Sequence, residues 1–362
     1  MIKLKSIIRK LEKKYPQNLK EEWDNVGLIL GDSNQEVEKI QISLDVTEEV
    51  IENAIKNKTN LIITHHPMIF GSLKKINNQT ILGKKILKLL KKNISVYTLH
   101  TNLDSAKEGL NDYIVKKLGV QKSEILDAEY EDLKKILISI PLECFEEIKL
   151  KILKLNDFGN EKYKDTSYTL EGEETFLALD DSNPKKGEKN ILEKVKTKRL
   201  EILTQEFKVK QILNEIRKIH PYEEMMYEIV KVENKEIKSG IGRIFELPKK
   251  VDLSEYIQEI KSKLEIKNIK AVYNEDKKIQ KIGIVNGSGA SYIKRMKRAG
   301  VDLFITSDIK YHEALDSLET GLALVDLGHY ESEVFFSDLI KKELPANIEV
   351  EVFNSKPVFK FL

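Results

Sequence analysis

The chain has 362 residues, 61 Lys and Arg against 59 Asp and Glu, a formal net charge of +2 and one cysteine. That balance gives no electrostatic case for wholesale nucleic-acid or membrane binding, and a lone cysteine excludes an intrachain disulfide or a thiolate metal cluster. The length exceeds what one core usually serves, so two or more domains are expected, and no apolar run approaches the roughly 20 residues of a membrane span.

In chain order, "MIKLKSIIRKLEKKYP" reads as an amphipathic helix and not as a cleavable signal, which points to a soluble, cytoplasmic protein. Three short apolar, β-branched runs follow: "IQISLDVT" (40–47), "NLIITHH" (60–66) and "ISVYTLHTNLD" (94–104). Such runs suit strands buried on both faces, and the helical patterns between them imply βαβ units. The middle differs, with a strand expected at 133–141, a helix at 142–155, a strand or hairpin at 165–180, a strand at 199–205, a helix at 208–220 and a strand at 222–232. This βαββαβ order is the ferredoxin-like pattern, and "DDSNPKKGEKN" (180–190) is its most evident loop. Three more apolar runs close the chain: "KIGIVNGSG" (281–289), "VDLFITSD" (301–308) and "LALVDLGHY" (322–330). The expected architecture is α/β, with two similar halves (1–127 and 238–362) forming one body, interrupted by a ferredoxin-like α+β insert (128–237).

The polar residues gather at the ends of these runs. His65, His66, His100, Asp104, the "NGSG" loop, Thr306, Asp308 and His329 all follow predicted strand ends, where open α/β sheets bind ligands. Neighbours on a strand face opposite ways, so "THHP" can form one site only where the chain has left the strand, and Pro67 ends regular pairing there. His329 and Glu333, four apart on a helical pattern, share a face. Imidazole with carboxylate suits Zn, Mn, Fe or Co. Asp104 could bridge two ions or cap the following helix, and His100 could orient a ligand or a water. The "NGSGASYI" turn reads as an anion cradle or as a tight turn. Asp308, Lys310, Tyr311 and His312 offer an acid, a cation, a phenol and an imidazole near the same place, and are the candidate catalytic or substrate-facing residues. Asp24 and Asn25 are read as cap or turn residues and Trp23 as a packing residue.

Taken together, "WDNVGL", "THHP", "HTNLD", "NGSG", "TSDIKYH" and "GHYESE" resemble the NIF-three-like family of dinuclear-metal proteins, whose members are often labelled GTP cyclohydrolase I type 2 homologues. In the middle, "YTLEGEETF", "NPKKG", "HPYEEMMYEIV" and "GIGRI" are similar to the insert of its longer bacterial members. The resemblance implies two divalent metal ions per subunit (Zn, Fe or Mn) on His65, His66, Asp104, His329 and Glu333. It also implies an insert like the nitrogen-regulator and cation-tolerance folds, and a ring-shaped homohexamer. Ser307 stands where many members carry Gly, and Asn286 precedes the GSG turn at a variable position. The expected function is metal-dependent hydrolysis of a nucleotide or other phosphorylated small molecule. The alternatives are a metal-binding or metallochaperone protein without turnover, and a regulatory protein.

Overall fold

Short apolar runs of this kind cannot leave either face in water, and both faces are covered here. The computed structural model describes residues 2–156, 158–159, 163–184 and 187–360. Lys185 and Lys186, in the loop expected at 180–190, lie outside the described residues. The chain forms two compact units, Met1–Ala128 with Ser239–Leu362, and Glu129–Lys238.

The first unit begins with β1 (Ile2–Lys3), α1 (Leu4–Lys14), β2 (Gly27–Leu30), β3 (Glu36–Val37), β4 (Lys39–Ser43) and α2 (Glu48–Lys56). It continues through β5 (Leu61–Thr64), α3 (Ile81–Lys91), β6 (Ser95–Thr98), α4 (Thr101–Ser105) and α5 (Leu110–Lys117). The chain enters the second unit along β7 (Glu124–Pro141). After α6 (Phe145–Asn156), β8 (Tyr168–Leu177), β9 (Leu192–Gln205) and α7 (Glu206–Arg217), it leaves along β10 (Tyr227–Asp252). The first unit then resumes with α8 (Leu253–Leu264), β11 (Lys270–Val272), β12 (Lys278–Ser288), α9 (Ile293–Arg298) and β13 (Leu303–Ser307). It ends with α10 (Tyr311–Glu319), β14 (Ala323–Asp326), α11 (His329–Glu333), α12 (Phe336–Glu343) and β15 (Glu349–Val352).

In the first unit β4, β5 and β6 are parallel neighbours, with Thr64 paired to Ser43 on one side and Thr98 on the other. The strands β12, β13 and β14 repeat the arrangement, also in parallel. Side chains alternate between faces with period two. Leu61 and Ile63 of β5 share one core with Ile282 and Ile284 of β12 and Leu303 and Ile305 of β13. Ile62 turns the other way, onto Val50, Ile51 and Leu89, as Phe304 and Leu324 do onto Met296 and Val301. Thr47 and Thr80 start α2 and α3 by accepting the Val50 and Gly83 N–H groups at 3.2 and 3.0 Å.

Two edge strands carry no clear signal in the sequence. β15 pairs in parallel with β4 and β2 antiparallel with β6; each is four residues long. The second unit has the element order β-α-β-β-α-β, with β9 antiparallel to both β7 and β8. Its core sets Ile136, Ile138 and Leu200 of the strands against Ile148, Ile152, Ile212 and Ile216 of α6 and α7. No helix among the described residues is long and apolar enough to cross a membrane.

Candidate metal centre

The strand β5 stops at Thr64, and the chain bends at His65 and His66. Strand alternation therefore no longer applies, and the two imidazoles lie side by side, ring centroids 5.2 Å apart. His65 is fully buried. Its Nδ1 faces the Leu99 carbonyl at 2.8 Å; a carbonyl only accepts, so Nδ1 carries the proton and Nε2 the lone pair. That Nε2 is buried without a hydrogen-bond partner and looks toward Asp104 Oδ1 at 3.7 Å and Glu333 Oε1 at 3.6 Å.

His66 and His329 are built alike. The Nδ1 of His66 meets Asp45 Oδ1 at 2.8 Å, and the Nδ1 of His329 meets Asp308 Oδ2 at 2.7 Å. Both Nε2 atoms then converge on Glu333 Oε2, at 2.8 and 3.0 Å, and lie 3.3 Å from each other. In all three imidazoles one nitrogen is committed to a carbonyl or carboxylate and the other turns inward, the pattern that orients a metal-ligating histidine. Glu333 presents one oxygen to His65 and the other to His66 and His329, so it is the carboxylate that faces both groups. Asp104 sits within α4 and does not cap α5, whose N-cap is Gly109. His100 brings a ring nitrogen within 4.8 Å of His65 and His66 ligand atoms, as His66, His329 and Glu333 do among themselves. Both groups could hold an ion.

The electrostatics suit a cation. Burial and repulsion by Glu333 push the Asp104 carboxyl up, against the attraction of His65. Burial also opposes the Glu333 charge, but His65, His66 and His329 outweigh it and hold that carboxyl well below its usual range. Burial resists a charge on His66, yet hydrogen bonds to Asp45 and Glu333 raise it to about 10. His329, bonded to Glu333 and against the cost of burial, rises to about 9. The imidazoles around the two buried carboxylates take up protons where a divalent ion would neutralise the set directly.

Other residues hold this geometry. Asn286 Nδ2 donates to Asp104 Oδ1 at 2.9 Å and to Glu333 Oε1 at 3.4 Å. In the "NGSG" turn Gly287 makes room for the carboxylate, and the N–H groups of Gly287 and Gly289 are taken by the Ser332 and Thr306 hydroxyls. Gly287 has φ +62°, and a Cβ there would sit 2.1 Å from Glu333 Oε1. Ser307 is buried; its hydroxyl donates to the Gly328 carbonyl at 3.1 Å and lies 3.0 Å from the Ser332 hydroxyl, steadying the start of α11. Asp308 reaches its position through a left-handed backbone, φ 57°.

The cluster opens on a cleft of about 1060 Å³, lined by His66, His100, Asp104, Asn286, His329 and Glu333 among others. Of the candidate catalytic residues, Asp308 touches the cluster through His329. Lys310, Tyr311 and His312 begin the exposed end of α10 and do not line the cleft; Tyr311 meets its neighbour His312 edge-on, centroids 5.4 Å apart. They follow a strand end, but the left-handed turn at Asp308 directs only that carboxylate inward. Sequence reasoning missed Asp45, whose sole clue was its place after a strand run. In "WDNVGL", Asp24 does act as a cap, accepting the N–H of Thr101 at the start of α4 at 3.1 Å, but it is also a buried partner of His100 Nδ1, at 2.9 Å, which the sequence did not announce. Trp23, read as a packing residue, is 62% exposed in the cleft and is not packed in the core.

Fold and site together define an α/β protein with a buried histidine–carboxylate group able to hold a metal ion. Residues 2–357 match the family described as Duf34/NIF3 (NGG1p interacting factor 3), and the chain belongs to it. It is 35% identical to the GTP cyclohydrolase 1 type 2 homolog of Bacillus subtilis over 337 residues, 93% of this chain and 90% of the relative. The namesake of Listeria innocua is 34% identical over 88% of this chain and 86% of its own. A crystal structure of a Bacillus cereus protein related to NIF3 superposes with a TM-score of 0.88 at 32% identity, covering 99% of this chain and 98% of that one. A Staphylococcus aureus protein gives 0.76 at 28% identity, covering 100% and 99%.

Proposed function

We propose that the chain binds two divalent metal ions through His65, His66, Asp104, His329 and Glu333 and uses them to hydrolyse a nucleotide or other phosphorylated small molecule. One observation carries the reading: three histidines, each with Nδ1 already engaged, turn Nε2 onto the two oxygens of Glu333. Ions held there would bring the pKa of a water toward neutrality and polarise the bond to be cleaved. The chain's own part is to orient the ligands through Asp45, Asp308 and the Leu99 carbonyl, to steady the Asp104 and Glu333 carboxylates through the Asn286 amide, and to fix the His100 ring through Asp24. The name of the Bacillus subtilis relative favours a guanine nucleotide, for which opening of the imidazole ring is the expected reaction.

A second reading, metal binding or transfer without turnover, is favoured by the exposure of Lys310, Tyr311 and His312 away from the cleft. The deciding experiment is a screen of nucleotides and phosphoesters with protein of measured metal content and His65→Ala as control. Turnover that follows metal content and disappears in the control supports the hydrolase. No turnover by fully loaded protein, with transfer of its metal to an acceptor, supports the second reading.

The β-α-β-β-α-β order of Glu129–Lys238 and its flanking strands, with the strand sequence β10-β7-β9-β8, supports a ferredoxin-like reading of that segment. A ring-shaped homohexamer working in the cytoplasm follows from the family resemblance, and sedimentation of the purified protein tests the assembly.

A further inference from the structure

We infer that the cleft recognises its ligand by a planar aromatic ring, of the nucleobase kind, received by Trp23 and Phe70, which both stand against His100. The inference rests on the proposed function only in placing the ligand beside the cluster. Trp23 and Phe70 are 62% and 58% exposed and line the same cleft as His66, His329 and Glu333. Both rings meet the His100 imidazole in edge geometry, at 5.9 Å and 77° for Trp23 and 6.2 Å and 85° for Phe70. Large aromatic side chains left in water forgo the free energy of burying their apolar surface. A ring filling the space they flank would recover it.

The backbone beneath these rings is anchored. Asp24, next to Trp23, is buried and accepts from His100 Nδ1 at 2.9 Å and from the Thr101 N–H at 3.1 Å. Asn25 Nδ2 donates to the Ile69 carbonyl at 2.7 Å, tying down the residue before Phe70. Trp23, His100 and Phe70 thus hang on one hydrogen-bonded frame reaching from "WDNVGL" to the loop after "THHP". Preorganised aromatic walls of this kind suit stacking, which tolerates any base because each has a π face.

The charges around the cleft point the same way. Among the described lining residues the only lysine or arginine is Lys85, and its Nζ donates to the Val46 carbonyl at 2.7 Å. Glu21 and Asp45 line the cleft as well. Lysine and arginine side chains therefore offer little to a phosphate chain, whose charge would fall to bound ions, and the large apolar contact the chain itself offers is to the ring.

Trp23 is the only tryptophan of the sequence, so its emission reports this cleft alone. The experiment titrates the metal-loaded full chain with guanosine, GTP, ribose 5-phosphate and inorganic phosphate, following Trp23 fluorescence and checking affinities by calorimetry. Guanosine and GTP are expected to quench the emission saturably, and ribose 5-phosphate and phosphate to leave it unchanged. Phe70→Ala is expected to weaken guanosine binding about tenfold or more, the scale of one lost stacking contact. Trp23→Leu, read by calorimetry, should do the same, with circular dichroism confirming that both variants fold. Equal binding of guanosine and ribose 5-phosphate, or unchanged guanosine affinity in both variants, overturns the inference. So does an emission change that follows protein concentration and not ligand, which would assign the rings to contact with a second copy. Quenching by guanosine without turnover of any nucleotide would leave the ring site standing and sink the hydrolase; turnover without quenching would do the reverse.

Discussion

Replacing Gly287 by alanine tests whether the cluster is organised around Glu333. The backbone there has φ +62°, a left-handed conformation that costs an L-residue about 1–2 kcal/mol. Alanine regains about 0.4–1 kcal/mol through a less free unfolded chain. The larger effect is steric: the new Cβ would lie 2.1 Å from Glu333 Oε1, and ordinary contact begins at 3.4 Å, so the carboxylate must retreat by about 1.3 Å. Metal–ligand distances hold to within about 0.2 Å, so a shift of this size removes an oxygen from the set. Gly287→Ala should therefore lose metal affinity by at least about 10–100-fold, the range seen when groups that merely orient ligands are lost. Gly300→Ala separates collision from strain, because Gly300 has φ +70° with nothing within 4 Å of a Cβ. It should lower the melting temperature by roughly 2–4 °C per kcal/mol and leave metal binding intact. Competitive chelator titration gives the affinities, and calorimetry gives the melting points. Wild-type metal affinity in Gly287→Ala, or an equal loss in Gly300→Ala, would refute the reasoning.

Asp45→Ala frees His66 Nδ1 and should weaken metal binding by about 10–100-fold with little change in secondary structure, measured by chelator competition and circular dichroism. His65→Ala removes the buried Nε2 that faces Asp104 and Glu333 and should lower the metal found by elemental analysis from two ions per chain to one. In the metal-free protein, His66 and His329 are raised to about 10 and about 9 from about 6.5 unfolded. Their contribution to stability is fully present below pH 6.5 and lost as pH climbs through 9 to 10, so the metal-free melting temperature should fall across that window. Metal-loaded protein, whose imidazoles hold no proton to lose, should lack that slope; equal slopes would contradict the assignment. Arg243 is buried, bonds both oxygens of Asp112 at 2.5 and 2.9 Å, and donates to the carbonyls of Gly240, Gly242 and Ala106. Arg243→Leu strips away the buried cation, leaving Asp112 with only the Glu108 N–H and the Ala106 carbonyl with only the Gly109 N–H, and should cost about 3–5 kcal/mol in urea unfolding, with Arg243→Lys only partly restoring it because lysine lacks the planar fork.

The six apolar runs announced their strands because a strand buried on both faces needs consecutive β-branched or large apolar residues; β5, β6, β13 and β14 lie within them, while β4 and β12 begin one and three residues earlier. β2 and β15 are edge strands only four residues long, with no such requirement. β15 finds its partner β4 some 310 residues earlier in the chain, a pairing that local pattern cannot specify.

The candidate site divides in the same way. Position after strand ends marked His65, His66, Asp104 and His329, since the sheet sends every strand end to one edge, helical spacing from His329 marked Glu333, and the family resemblance joined the five into one set. That rule also drew in Lys310, Tyr311 and His312, which stay outside the cleft because direction after a strand end is set by backbone dihedrals, not by sequence position. By itself the sequence determined the α/β class and the histidines and carboxylates of the cluster. Only the tertiary structure decided that Glu333 stands between the imidazoles, that Asp45, Asp308 and the Leu99 carbonyl turn each ring, and that Trp23 faces the cleft. Those facts depend on contacts between segments tens to hundreds of residues apart, and such distances exist only once both sheets close on their shared core.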